Sequence, residues 1–449
     1  MDYLAFTRHY RIGVDICYSY GLLPILLQHI VFWFTGPSFR PMIGCTVLVL
    51  VLTAIYFACL LEHLPAGRLW LVALVALSPT LLIVNPNWPY SVAVLSMLFA
   101  ILFVLKDRLD IALAISTIGC FCVPSLPLVL TILLAFCIIF NWWKAQGRSF
   151  STLVARLAPG AIVYAALAVL LGTVFGFRSL AATAIPLTGA TYYKQSGLGG
   201  LGAFIDFLHP AGHSMKYYVA YYLGSPVTWF VLCTLFIFGL SLCVLFFVLR
   251  GRALDPSSTL IVVYSVVQAA FITVAYGTHG QHVLYDGLLA STALVGIASI
   301  PKTKMRNTAL LVFILSGILA ESSGAYKTLD AWRSTAPGPG TFGLYAGVGL
   351  AKDWSDVVQV SQHRKTLVLA YATGQHIYYP TIEEPDAWFM IPGLIYPAQE
   401  NAILEQIRNA DIVVEDGTSP SPIVTDKIRS ALAAMHEIHP GGAYRFLEH

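Results

Sequence analysis

Within its first 21 residues, MDYLAFTRHYRIGVDICYSYG, the chain sets two carboxylates, Asp2 and Asp15, among Arg8, His9, Arg11 and Tyr20. A carboxylate held near apolar surface can take a proton from an attacking hydroxyl, with a pKa set by its neighbours. Arginines beside it can grip a phosphate through paired hydrogen bonds. The same residues also suit a solvated loop whose charges only keep it out of an apolar phase. A second group lies in HGQHVLYDG, His279 to Gly287. On a helix His282, Tyr285 and Asp286 fall at i, i+3 and i+4 and share one face. There they could hold a phosphate or position an acceptor hydroxyl. An interfacial belt, with Tyr285 at headgroup depth and Asp286 paired to His282, fits as well. The third group is YYKQSGLGGLGAFIDFLHPAGHSMKYY, where Lys194 and Lys216 are candidate phosphate contacts. Its run Gly197 to Gly202 follows no strand and opens no nucleotide-binding helix, which argues against a dinucleotide site. This stretch suits a flap over a rim site, or an ordinary loop with aromatic anchors.

The elements that must position these groups are apolar. Of 449 residues 57% are hydrophobic and 11% charged, against about 25% charged in soluble domains. That deficit excludes a soluble enzyme, a disordered chain and a nucleic-acid binder, and calls for lipid as solvent. Charge is also unevenly placed. Residues 1–320 hold 17 Lys and Arg against 8 Asp and Glu, whereas residues 321–449 hold 9 against 15. A membrane body over 1–320 followed by a water-soluble tail over 321–449 is therefore expected. All eight cysteines precede the boundary, with no zinc-type spacing. They read as small buried hydrophobes, and no metal or other cofactor is implied.

A span needs about 20 apolar residues. Ten candidates follow: Met42–Leu61, Leu69–Val84, Tyr90–Leu105, Ile111–Val123, Leu126–Trp143, Leu157–Phe175, Val227–Leu249, Leu260–Tyr276, Val283–Ile300 and Ala309–Ala320. Several are short, so their ends should extend into the loops, and the pair divided by Pro124–Pro127 could form a hairpin. Eleven Lys and Arg fall in one set of alternate loops (Arg68; Lys106 and Arg108; Lys144, Arg148 and Arg156; Arg250 and Arg252; Lys302, Lys304 and Arg306). Four fall in the other: Arg40, Arg178, Lys194 and Lys216. Basic loops stay cytoplasmic, so the long loop 176–226 and the tail face outside. Region 1–41 then becomes an external loop followed by Leu22–Thr35, too short to cross and better suited to lie in the interface. Asp2, Arg8, His9 and Arg11 exclude a signal peptide at this end, and a first span is expected to precede Met1. The proposed spans carry no Asp, Glu, Lys or Arg near their centres, and Gln268 is the most polar side chain there. That pattern disfavours an ion-coupled carrier and suits a lipid-borne substrate met at the external rim.

In the tail, Thr366–Thr373 and Asp411–Gly417 read as strands and Ala398–Ala410 as an amphipathic helix. Val424–Ile438 reads as a second helix and Ala443–His449 as a last strand. The fold class expected overall is mostly α, a polytopic membrane protein of about ten spans plus an interfacial helix, with a small C-terminal α/β extracytoplasmic domain.

The arrangement resembles the C-fold glycosyltransferases (GT-C), polytopic enzymes that use polyprenyl-phosphate sugars. The resemblance rests on DYLAFTRHYRIG followed by YSYGLLPILLQHIVFWFTG, on ALSPTLLIVNPNWPYSVAVL, the basic turn KDRLD and CVPSLPLVL, on HVLYDGLLASTALVGI, and on NADIVVEDG with AYRFLEH near the end. It covers most of the chain through loose motifs, and the arginine often found in the late external segment is absent. The resemblance implies that Asp2 is the general base on the acceptor hydroxyl, with Asp15 a second candidate. It implies that His282 and Tyr285 approach the lipid phosphate, where cationic groups would stabilise its departure. The implied partners are a polyprenyl-phosphate sugar donor, a lipid, glycan or protein acceptor, and the bilayer of the cell (inner) membrane. A non-enzymatic carrier or transporter of lipid-linked glycans is the competing class, and an assembly subunit that recruits partners through its tail a third.

Overall fold

Pro24 lies in the first turn of α1 (Leu23–Thr35), where its missing N–H costs nothing and its fixed φ favours the helix. Gly36, at φ +73°, ends it and returns its N–H to Phe32 O at 2.8 Å. In this computed structural model the described residues are 6, 11–36, 40–82, 88–145, 149–184, 260–268, 286–318, 335–337, 345–347, 357–369, 382–385, 395–416 and 425–449, with scattered positions inside those ranges left out. The chain is mostly helical, with a small five-stranded sheet at its C-terminus.

After α1 come α2 (Arg40–Leu61), α3 (Arg68–Leu82), α4 (Trp88–Leu105), α5 (Leu109–Cys120), α6 (Ser125–Lys144), α7 (Phe150–Phe175), α8 (Phe177–Ala184) and α9 (Asp286–Ala298). Residues at 260–268 and 303–318 are helical as well. Their limits follow local chemistry. Pro124 and Pro127 bracket the start of α6, and the Ser149 hydroxyl caps α7 by accepting from Ser151 N at 3.1 Å. Gly176 at φ +89° stops α7.

Apolar surface covers α4 all round, so it is buried all round: Tyr90, Ala93, Val94, Met97, Leu98, Ile101 and Val104 are each under 9% exposed. It packs against α1, α2, α5, α6 and α9, and α5 and α6 form the expected hairpin, with α7 laid against α5. Small and hydroxyl residues allow the close approach. A Cβ on Gly119 of α5 would sit 2.3 Å from Ser96 Oγ of α4, and Ser116 Oγ meets Thr131 Oγ1 across the hairpin at 2.9 Å. The outer faces carry apolar side chains, and a few hydroxyl and amide groups lie within a mostly aliphatic core. Thr53, Ser91, Ser96, Ser116, Thr117, Gln268, Ser291 and Thr292 are buried, whereas Val51 and Ile55 of α2, Val75 of α3, Ile132 and Phe136 of α6, and Ile162 and Val169 of α7 are exposed.

Two helices among the described residues are long and apolar enough to cross a membrane, α6 and α7. α7 extends the span expected at Leu157–Phe175 by two turns, taking in Arg156. Four of the other expected spans appear as shorter apolar helical stretches. Val227–Leu249 lies outside the described residues, as does most of the loop 176–226, but α8 occupies the beginning of that loop as an element the sequence pattern did not suggest.

In the tail, Thr335–Pro337 (β1) pairs antiparallel with Tyr345–Gly347 (β2). A separate sheet has the order β4-β3-β5-β7-β6. Strands β3 (Thr366–Leu369), β4 (Ile382–Glu383) and β5 (Ile412–Asp416) are parallel, and β6 (His436–Gly441) and β7 (Tyr444–Glu448) add an antiparallel hairpin beside β5. Period-two alternation feeds two cores. Leu367, Leu369, Val413 and Leu447 meet Ile403 and Ile407 of α10 (Pro397–Asn409) and Ile428 and Leu432 of α11 (Asp426–Ala433). Val368, Ile382, Ile412, Val414 and Phe446 meet Val357 on the other face.

One expected element is corrected here. The helix expected over Val424–Ile438 ends at Ala433, and His436–Gly441 is strand β6. Pairing of His436 with Glu448 and Gly441 with Tyr444 satisfies the backbone there, around a bulge between Glu437 and His439.

An ion pair ties the two tail helices. Lys427 Nζ lies 2.8 Å from Glu400 Oε2, and the Lys427 ammonium, with help from the Thr425 hydroxyl, holds the Glu400 carboxyl below its ordinary value. A depressed native pKa stabilises the fold above the ordinary glutamate value of about 4.3, and that gain is lost as pH falls through the native value. Lys427 is 68% exposed, which limits the pair to under about 1 kcal/mol. Thermal unfolding followed by circular dichroism should therefore show Glu400→Gln slightly less stable than wild type near neutrality, with the difference shrinking as pH falls below the ordinary glutamate value.

Candidate functional site

The segment after Arg11 is a tight turn. Val14 N and Asp15 N both donate to Arg11 O, at 3.1 and 2.7 Å. Gly13 at φ +76° makes that turn possible, and a Cβ there would stand 3.0 Å from Ala182 Cβ of α8. The turn folds Asp15 back on Arg11. Its carboxylate accepts from Arg11 N at 2.9 Å, from Nε at 2.9 Å and, through the other oxygen, from Nη2 at 2.7 Å. The Arg11 guanidinium accordingly holds the Asp15 carboxyl below the usual aspartate range.

Beyond the turn the chain is fastened to the α5–α6 connection. Gly21 N donates to Cys122 O at 2.7 Å and Leu23 N to Phe121 O at 3.1 Å. The contact is so close that a Cβ on Gly21 would lie 1.9 Å from Phe121 O. Tyr20 sets its ring edge-on to Tyr18 and to Tyr90 of α4, with centroids 5.5 and 5.3 Å apart. One turn along α1, Gln28 is buried and His29 stands between Phe6 at 5.3 Å and Phe175, the last residue of α7, at 5.4 Å. On the adjoining face of α1, Leu27 and Val31 pack on Cys45, Val49 and Leu95. Trp33 and Phe34 at its end are 82% and 84% exposed.

Six parts of the chain thus meet at one end of the body: residues 11–22, α1, the start of α4, the α5–α6 turn, the end of α7, and α8. Of the residues singled out from sequence, Arg11 and Asp15 are placed here, and placed together. Asp2, Arg8, Lys194, Lys216, His282 and Tyr285 lie outside the described residues. Asp286 begins α9, which packs on α3 and α4. Gln28, His29 and Tyr90 were not anticipated, although Gln28 and His29 are the adjacent polar pair in LLPILLQHIVFWF, and a polar residue inside an apolar helix is itself a signal. Among the described residues no three His, Cys, Asp or Glu side chains come together as a metal site.

The chemistry open to the placed pair is limited by its own geometry. With three hydrogen bonds and a lowered pKa, the Asp15 carboxylate is a weak base. A phosphate reaching Arg11, which is 60% exposed, would compete with that carboxylate for the guanidinium. Comparison of the sequence with protein-family models and with curated proteins finds no match to either.

Proposed function

We propose that the chain is a polytopic membrane glycosyltransferase of the GT-C type, moving a sugar from a polyprenyl phosphate to an acceptor hydroxyl at the extracytoplasmic face. The observation that carries this reading is the convergence of the N-terminal segment with the ends of five helices at one end of a body whose outer surface is apolar. A rim site there lies where the phosphate of a lipid-borne donor would sit. The loops that meet at this end belong to the set assigned outside by charge, whereas Lys106 and Arg108 lie in a turn of the other set, Arg68 and Lys144 end helices there, and Arg156 lies in the second turn of α7. Trp33 and Phe34 suit the headgroup depth that aromatic side chains prefer, and α1, at 13 residues, suits a helix lying in the interface.

In this reading Asp2 accepts the proton of the acceptor hydroxyl as its oxygen attacks the anomeric carbon and the bond to the polyprenyl phosphate breaks. Arg8, Arg11, Lys194, Lys216, His282 and Tyr285 are the groups available to stabilise the departing phosphate. The tail domain caps the body or holds part of a substrate.

Two measurements test the reading. Membranes containing the chain, supplied with labelled polyprenyl-phosphate sugars, should transfer label to an endogenous lipid, glycan or protein acceptor. Binding of lipid-linked glycan or its movement across vesicles, with no transfer, would favour the carrier instead. The bilayer placement is tested by Ile132→Lys, on the exposed face of α6 near its centre. In a bilayer it should cost about 2.5–3.5 kcal/mol of insertion free energy, and on a water-facing surface within about 0.5 kcal/mol. Thermal unfolding of the full chain in membranes, wild type beside Ile132→Lys, separates the two.

A further inference from the structure

The helical stretch at 303–318 joins the body through one stripe. Ala309, Leu310, Phe313 and Ile314 pack into the main core, the last three at 4% exposure or less. Arg306 stands at the head of that stripe, three, four and seven residues before Ala309, Leu310 and Phe313, so it lies on the packed face. Its side chain is half-buried, and its Nε is buried without a hydrogen-bond partner.

A guanidinium cannot shed its proton, and a charge drawn partly out of water is costly until an anion joins it. Elsewhere in the chain that anion is a carboxylate. Arg11, Arg108, Arg364, Arg429 and Arg445 each lie within 3.4 Å of one. Arg306 pairs with none among the described residues, and from Gly287 to Ala320 the sequence has no Asp or Glu. Lys302 and Lys304 instead add charge of the same sign.

The opposite face of the stretch gives the depth of this group. Lys304, Asn307 and Thr308 are exposed, and after them so are Leu311, Val312, Leu315 and Ile318. The change from polar to apolar falls between Thr308 and Leu311, about 5 Å along the axis from Arg306. In a bilayer that change marks the boundary between headgroups and acyl chains. An arginine one turn outside it reaches the phosphate layer while its stem stays on apolar surface, and basic positions between membrane helices are where anionic headgroups bind. The loop charges put this turn in the basic set, away from the rim proposed for sugar transfer, so its ligand is distinct from the sugar donor.

We propose that Arg306 is the centre of a binding site for the phosphate of an anionic phospholipid, whose acyl chains lie against the apolar exterior of the body, with Lys304 adding charge at longer range. The inference rests on the membrane placement of the body and is independent of the sugar-transfer reading.

The test uses the full chain purified in detergent, with dioleoylphosphatidylglycerol, dioleoylphosphatidylcholine or inorganic phosphate as the probe. Native mass spectrometry counts the lipid retained, and thermal unfolding is followed in parallel. Phosphatidylglycerol should be retained and should raise the unfolding temperature, and phosphatidylcholine should do neither. Arg306→Gln should weaken retention of phosphatidylglycerol by about 10-fold or more, the worth of hydrogen bonds to a charged group. Arg306→Lys keeps the charge without the paired donors and should fall between the two, which leaves a comparison if the glutamine form does not fold. Lys144→Gln, which removes a cation from the end of α6, should retain lipid as wild type does. Equal retention of both lipids, or full retention by the Arg306 variants, would overturn the site. An equal, Arg306-dependent gain in stability from inorganic phosphate alone would overturn the lipid assignment in favour of a free anion. The bilayer reading fails separately, through a neutral Ile132→Lys, because lipid retention is read in detergent.

Discussion

Asp2→Asn should lower kcat for sugar transfer by about 10²–10⁴-fold, the usual worth of a positioned general base, while binding of the lipid-linked donor changes little. An acceptor hydroxyl is a poor nucleophile until its proton has somewhere to go, and asparagine keeps the shape of the side chain without accepting that proton. The comparison that gives the experiment its force is Asp15→Asn. Asp15 is already committed to Arg11 through three hydrogen bonds, and the guanidinium pushes its carboxyl below the ordinary range. Its replacement should loosen the 11–15 turn and reduce transfer by less than about 10-fold. Transfer rates with labelled donor, wild type beside the two variants, decide the matter. If Asp15→Asn abolishes transfer and Asp2→Asn does not, the base has been assigned to the wrong carboxylate.

The second large effect is expected from the smallest substitution, Gly21→Ala. The added methyl would stand 1.9 Å from Phe121 O and 2.9 Å from Cys122 N, both backbone atoms. Neither can move aside as the end of a flexible side chain would. The segment must instead lift off the α5–α6 turn, giving up the Gly21–Cys122 and Leu23–Phe121 hydrogen bonds. Overpacking of about 1–3 kcal/mol and about 1 kcal/mol for each lost bond together reach roughly 3 kcal/mol or more. Thermal unfolding in detergent should fall by many degrees, and transfer should fail along with it, because the displaced segment is the one that carries the candidate base. Gly44→Ala is the control. Gly44 lies in α2 with nothing within 4 Å of its would-be Cβ, so alanine should be neutral or stabilising by up to about 1 kcal/mol.

The fold was legible wherever one local signal was enough. Pro124 and Pro127 marked the α5–α6 hairpin, and the apolar run from Leu22 stopped at Gly36, giving a helix of 13 residues that is too short to span. In the tail, the continuous apolar run Ile412–Val414 in DIVVED marked a strand buried on both faces. Legibility ended where a segment's state depends on a distant partner. The residues after Ala433 (AMHEIH) include good helix formers, yet His436–Gly441 is drawn into the sheet by pairing with β7. That gain in backbone hydrogen bonds exceeds weak local propensity. α8 was passed over because eight residues carry too little periodic signal, although its packing against Gly13 now accounts for that glycine.

The candidate site divides along the same line. Residue types in the first 21 positions were enough to suggest a base and a phosphate grip, and composition alone was enough to suggest a largely apolar body followed by a more charged tail. Both follow from one-dimensional quantities: how much apolar surface there is, how it is spaced, and where charge is permitted. The partners of each polar group were decided only in three dimensions. Arg11 and Asp15, read as separate functional groups, are brought into one ion pair by a turn through Gly13. Tyr56 and Ser291, 235 positions apart, meet in the core. A buried hydrogen bond forms between whichever donor and acceptor the packing of α2, α4 and α9 leaves facing each other, and hydropathy carries no information about that pairing.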